Sequence, residues 1–193
     1  MVADFGYDRS GSYLSGPARG WLAGLDLPPV SREVVADCLA VIDGLAPVTG
    51  RIDGELRQHA KADPRVKTLT TLPGVGQFTA LVMLAEIGDI SRFGSARKLA
   101  SWAGLTPTVR GSDLTVRHGH ISKQGPAWLR WVLNQAAQTA KRSPEFAETY
   151  AAIAQRRGKK IATIAIARKL LTRAWHLLNQ LEPADASTPL WRP

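Results

Sequence analysis

The chain has 193 residues, 45% of them apolar, and carries 25 Lys+Arg against 16 Asp+Glu for a net charge of +9. That apolar share is enough for a packed core and excludes wholesale disorder. A single cysteine, Cys38, excludes an internal disulfide framework and any multi-cysteine metal cluster. No run approaches 18 apolar residues, and residues 1–20 lack a basic stretch leading into an apolar one, so neither a membrane span nor a signal peptide is expected.

The charge is uneven. Residues 1–107 hold 11 basic and 11 acidic side chains, whereas residues 108–193 hold 14 and 5. The whole excess sits in the second half. A basic half-chain points to a polyanion partner, nucleic acid ahead of an anionic membrane surface.

Residues 1–30 are rich in Gly, Ser and Pro and read as a flexible leader, in which Trp21, Leu22 and Leu25 can dock as one turn. The segment 31–64 follows as a helical linker. Its apolar positions Cys38, Val41, Leu45, Val48, Ile52 and Leu56 recur at three- and four-residue steps, close to a coiled-coil seam. Gly44, Pro47 and Gly50 predict a kink or break near 44–50. Fewer than three clean heptads leave two readings open, a dimer arm or a helix packed on its own domain.

A domain over 65–182 is expected next, with a tail over 183–193. Residues 66–88 predict an apolar helix ending at Leu72, a tight turn at Pro73-Gly74-Val75-Gly76, and a second apolar helix from Gln77 to Ile87 stopped by Gly88. This is the pattern of a helix-hairpin-helix element. The glycines tolerate positive φ and let the backbone approach a ligand. Amides at the start of the second helix can face a phosphate. Val75 anchors the turn in the core. Such a turn binds DNA backbone without reading bases.

A helix is predicted over Phe93–Ala103. After it, Thr108-Val109-Arg110 and Leu114-Thr115-Val116-Arg117 flank Gly111-Ser112-Asp113 and suggest a small β-hairpin or an extended loop. Three helices complete the chain, at about 126–141, 144–156 and 160–181. The fold class is therefore mostly α. Trp102, Trp128, Trp131 and Trp175 fall at helical spacing and read as core.

The stretch His118-Gly119-His120-Ile121-Ser122-Lys123-Gln124-Gly125 carries the densest chemistry. A serine hydroxyl becomes a nucleophile when a base takes its proton and cations stabilise the phosphate it attacks. His118 or His120 can supply the base; Arg117, Lys123 and Arg130 can supply the cations. The plainer reading is that Ser122 caps the helix after Pro126. Zinc on His118 and His120 lacks further ligands. Only five carboxylates stand in residues 108–193, too sparse for a two-metal cage, so no metal site is expected here. Arg156, Arg157, Lys159 and Lys160 form a compact basic turn suited to phosphate, and Arg168, Lys169 and Arg173 follow on the last helix.

Several motifs together carry a resemblance: Leu72-Pro73-Gly74-Val75-Gly76; the stretch from Phe93 to Pro107 with its Ala100-Ser101-Trp102-Ala103-Gly104-Leu105-Thr106-Pro107; Gly119-His120-Ile121-Ser122-Lys123-Gln124-Gly125; Leu129-Arg130; and Ala165-Ile166-Ala167-Arg168-Lys169-Leu170-Leu171. In order and spacing they resemble the C-terminal transposase domain of the insertion sequence 110/116/902 family, over about 65–180. The resemblance implies a DNA recombinase guided by a structured RNA, acting in the bacterial cytoplasm at the nucleoid. It implies that the serine of the Ser-Lys-x-Gly motif, Ser122, attacks the DNA backbone and becomes joined to it. It also implies an N-terminal resolvase-like domain whose four acidic residues bind Mg²⁺. Asp4, Asp8 and Asp26 are too scattered to stand in for it, so Mg²⁺ is expected from a missing domain or a partner. The expected partners are DNA, a guide RNA, and a second copy or a full-length transposase meeting the 31–64 helix. A non-catalytic DNA- or RNA-binding remnant is the alternative, and a dimerising helical adaptor without nucleic-acid affinity is a third.

Overall fold

The computed structural model describes residues 6–7, 16–112 and 115–181, apart from the side chains of Arg110, Ser112 and residues 115–118. The expected tail, Asp4, Asp8 and Asp113 lie outside them. The described chain is mostly helical, with eight α-helices and one two-stranded sheet. It divides into two units, Met1–Gly54 and Glu55–Pro193.

In the first unit, α1 (Gly16–Ala23) replaces the single turn expected around Trp21. Ala18 and Leu22 are buried, and Leu22, Leu25 and Leu27 form a small cluster with Tyr7, Trp21 and Val35. These apolar side chains supply the burial that a Gly/Ser/Pro-rich composition concealed. Arg19 pairs with Asp43 at 2.7 Å, and the hydrogen bond from Arg19 holds the Asp43 carboxyl below its ordinary range.

Helix α2 (Pro29–Ala62) runs unbroken through Pro47, where a break was expected. Proline removes one helical N–H and crowds the preceding turn. Here that turn is exposed to water, and the Thr49 hydroxyl donates to the carbonyls of Leu45 and Ala46. Of the seam residues, Cys38, Val41, Leu45, Val48 and Ile52 are exposed, whereas Leu56 is half-buried and packs against the core of the second unit.

The second unit is built around α8 (Lys159–Leu181), whose Ile166, Ala167, Leu170, Leu171 and Ala174 are fully buried. Against it pack α3 (Pro64–Leu69), α5 (Ala96–Trp102), α6 (Ala127–Ala140) and α7 (Pro144–Arg157); α4 (Gln77–Ile87) packs on α3 and α6. Helix α3 stops at Leu69, three residues before the predicted end. Residues 70–74 turn instead, with Leu72 N–H donating to Leu69 O and Val75 N–H to Leu72 O. The short helix α5 starts at Ala96, later than the expected Phe93, because Ser95 caps it by accepting from Lys98 N–H. Phe93 instead closes a 3-10 turn over Ile90–Arg92 and accepts a 3.0 Å bond from Trp175 Nε1 at its carbonyl.

Strands β1 (Pro107–Ser112) and β2 (Thr115–Ile121) form the antiparallel hairpin, with an irregularity between Pro107 and Val109. Gly111 pairs with Val116 and Ser112 with Thr115, so β1 includes two residues that the sequence assigned to the turn.

Asp63 caps α3 and is nearly buried. It accepts from Arg65 N–H at 2.8 Å and from Arg65 Nη2 at 2.7 Å. Burial pushes its pKa up, but the hydrogen bonds and charge of Arg65 outweigh that and hold it below the ordinary carboxylate range. Its contribution to stability is therefore present above the unfolded value of about 3.9 and lost as pH falls through the lower folded value. Asp63→Asn should cost about 1 kcal/mol in urea denaturation at pH 7. The gap between variant and native chain should close as pH is lowered below 4; a gap that persists in acid would remove the ion pair from the account.

Candidate nucleic-acid interface

The loop that follows β2 is fastened to the segment that follows α5. Ser122 N–H donates to Thr106 O at 3.0 Å and Lys123 N–H to Gly104 O at 3.2 Å. Two glycines permit this approach. A Cβ on Gly104 (φ +71°) would lie 2.1 Å from Gln124 O, and one on Gly125 (φ +85°) 2.0 Å from Trp102 O. Among the described residues, Lys123 is the only non-glycine at positive φ, at 55°. A long side chain in that region carries strain that the surrounding bonds must hold.

Arg130 supplies the largest of those bonds. From the first turns of α6, its Nη1 donates to Gly125 O at 2.8 Å, Gln124 O at 3.0 Å and Ala103 O at 3.3 Å. One nitrogen with two hydrogens thus serves three carbonyls from two segments. This differs from the phosphate contact expected of Arg130.

Ser122 does not cap α6. The N-cap position is Pro126, with no side-chain bond. The Ser122 side chain is half-buried. Lys123 and His120 are exposed. The side chains of Arg117 and His118 lie outside the described residues, so their expected roles beside Ser122 are not located.

At the α3–α4 turn, Val75 is buried. Gly74 has φ +76°, and its missing Cβ would sit 2.3 Å from Ala136 O. The close approach that Gly74 permits is thus to α6. Gly76 is different: it is the N-cap of α4, makes no side-chain cap, and has open space where a Cβ would stand. Of the two glycines, Gly76 is the one facing outward with helix amides behind it.

Arg156, Arg157, Lys159 and Lys160 are exposed around Gly158, at φ +87°, between α7 and α8. None of the four forms an ion pair among the described residues. Arg156 and Arg157 complement the negative end of α7. Lys159 and Lys160 stand at the positive end of α8, whose first turn contains no acid. Placing cations there costs about 0.3–1 kcal/mol, which a bound anion would offset. Arg173 is not available in the same way: it pairs with Glu145 of α7 and stacks on Phe146.

Residues 66–151 match the family described as Transposase IS116/IS110/IS902. That segment belongs to this family. The chain is 26% identical over 159 residues to a "Probable family 20 transposase" of Pseudomonas aeruginosa, covering 80% of this chain and 47% of the relative. It is 33% identical over 138 residues to the "Transposase for insertion sequence element IS1111A" of Coxiella burnetii, covering 69% and 38%. It is 37% identical over 143 residues to the "Pilin gene-inverting protein" of Moraxella bovis, covering 70% and 44%. The chain thus spans less than half the length of these relatives. The family segment contains the α3–α4 turn, the hairpin, the serine loop and α6, but ends before the basic turn.

Two features escaped the sequence reading. Trp128 and Trp131 are not core: they are 61% and 48% exposed, against an inward face of Leu129, Val132, Leu133 and Ala136. Their rings meet edge to face at 5.6 Å. The i, i+3 spacing puts both indoles on one stripe, a signal present in the sequence. Trp102 and Trp175 do pack against the core. The second feature is the Arg92 guanidinium, which lies over both Phe93 and Trp102, 4.6 and 4.7 Å from the ring centroids. No helix of the described residues is long and apolar enough to cross a membrane. The described residues gather no three His, Cys, Asp or Glu able to hold a metal ion.

Proposed function

We propose that this chain is the DNA-handling part of an insertion-sequence transposase, with Ser122 as the nucleophile. The observation that carries the reading is a half-buried serine in a loop fixed through its backbone to residues 102–106. A nucleophile needs a side chain free to react on a frame that does not move. In the reaction, Ser122 Oγ would form a bond to a backbone phosphorus and give up its proton to a base. The bond from that phosphorus to the leaving deoxyribose oxygen would break. DNA would be held through phosphates by Lys123, the amides at Gly76 and the basic turn at 156–160. A guide RNA, and pairing of the exposed α2 seam with a second copy or a full-length transposase, belong to the same proposal. Localisation at the bacterial nucleoid follows from DNA as the partner.

Binding of a fluorescent DNA duplex across a salt titration tests the first part. Affinity should fall steeply with salt. Replacing Arg156, Arg157, Lys159 and Lys160 by Ala should flatten the slope by about 0.9 for each phosphate that is no longer neutralised. The second part is tested by supplying an intact relative with its guide RNA and searching for a covalent DNA adduct, absent in Ser122→Ala. Salt-sensitive binding with no adduct would leave a DNA-binding remnant; no binding at all would sink both parts.

A further inference from the structure

The side of α8 that faces the hairpin is not closed. Ile161, Ile164, Ala165, Arg168 and Lys169, with Thr172 a turn further on, form one wall of a groove of about 380 Å³. Their spacing is one helical stripe. Leu105, Pro107 and Ile121 form the opposite wall. The groove begins one residue beyond Lys160 of the basic turn. It also borders the serine loop: Ser122 follows Ile121, and its N–H is bonded to Thr106 O, between the two other lining residues of that wall.

We propose that this groove holds one unpaired nucleotide of a DNA strand and so brings the backbone beside Ser122. The inference rests on the DNA-binding reading above and adds a place and a strand form to it. Three observations support it. The volume lies near the low end of the range of about 300–1,000 Å³ typical of small-ligand sites, which suits one nucleotide and not a paired duplex. Arg168 and Lys169 are exposed on the same wall and form no ion pair among the described residues, so two cations stand where phosphates would lie. The rest of the lining is hydrocarbon apart from Thr172, whose hydroxyl donates to Arg168 O at 3.0 Å. Apolar walls cover sugar and base faces and offer little to a ribose 2′-hydroxyl, the group by which proteins select RNA. Single-strand sites combine a positive groove with a surface for the base; here Arg168 and Lys169 supply the charge, and the surface is aliphatic, offering van der Waals contact to a base in place of aromatic stacking. A second copy of this chain or an acidic peptide would also meet the two cations, but the adjoining basic turn continues the same charge along α8, as a phosphate backbone would.

The test is fluorescence anisotropy with the full chain and a labelled ten-nucleotide single strand of DNA, its RNA counterpart, and a duplex. Arg168→Gln/Lys169→Gln removes both cations from exposed positions, and Ala165→Phe fills the groove; circular dichroism and thermal melting check folding of each. The expected results are single-strand affinity at least tenfold weaker in both variants, and a salt slope shallower by about 1.4 in the double variant but unchanged in Ala165→Phe. Single-strand binding within twofold of the native chain in both variants would overturn the groove while leaving duplex binding through residues 156–160 intact. Loss in the double variant alone would show the cations acting without an occupied groove and would also overturn it. RNA bound as tightly as DNA would overturn the choice of strand. Failure of the native chain to bind any of the three would remove the DNA-binding reading together with the groove.

Discussion

Gly104→Ala should lower the unfolding free energy by about 3–5 kcal/mol. Two costs combine. An L-residue at φ +71° pays about 1–2 kcal/mol for its backbone alone. The added Cβ would stand 2.1 Å from Gln124 O and 2.7 Å from Gln124 N. Both are backbone atoms, so no side chain can rotate away, and the loop itself must retreat. Overpacking of this kind costs typically 1–3 kcal/mol, and retreat weakens the bond from Lys123 N–H to Gly104 O. For a domain whose whole stability is about 5–15 kcal/mol, the loss approaches the margin of folding. Urea denaturation measures it directly. Gly54→Ala is the control: this glycine lies within α2 with open space around its missing Cβ. It should gain about 0.5–1 kcal/mol from helix propensity. If Gly104→Ala changes stability no more than an ordinary surface substitution, the serine loop is not seated on residues 102–106.

Much of this arrangement was legible in sequence, and the division follows a physical line. Helices with a strong local signal were placed closely: α4 between Gly76 and Gly88, α7 after Ser143-Pro144, and α8 with its apolar stripe. Their boundaries are set by caps, prolines and glycines that act within a few residues. Features set by distant contacts were not legible. Gly74 and Gly104 were visible as turn glycines, but the atoms that forbid a side chain at them come from α6 and from the serine loop. Trp128 and Trp131 share the helical period of the core residues around them, and that spacing assigned them inward with Trp102 and Trp175. The depth of a core, which decides which stripe is covered, is a tertiary quantity. Likewise the motif Ser-Lys-x-Gly marked Ser122 through resemblance. It carried no sign that Lys123 occupies positive φ or that Arg130 grips the loop.

Arg130 is where sequence and structure separate most usefully, because its two readings predict different measurements. As a phosphate contact, Arg130→Ala would weaken DNA binding, flatten the salt slope by about 0.9, and leave the loop unchanged. As a loop clamp, the same substitution strips the shared donor from Ala103 O, Gln124 O and Gly125 O. Hydrogen bonds to a charged group contribute about 1.5–3 kcal/mol each. Because one nitrogen is shared among three acceptors and water can reach part of the site, a total of about 2–3 kcal/mol is expected. That energy holds Lys123 at φ 55°, so its loss should appear first in the serine loop. The amides of Ser122 and Lys123, bonded to Thr106 O and Gly104 O, should exchange with solvent about 30-fold faster for each 2 kcal/mol lost. Amides inside α8 should follow only the global change. Arg130→Lys keeps the charge but replaces the planar fork with a shorter reach, and should restore little of the protection. Exchange at Ser122 and Lys123 that stays as slow as in the native chain, together with a flattened salt slope, would return Arg130 to the DNA surface. Fast exchange with the salt slope retained would make Arg130 the residue that keeps Ser122 in place.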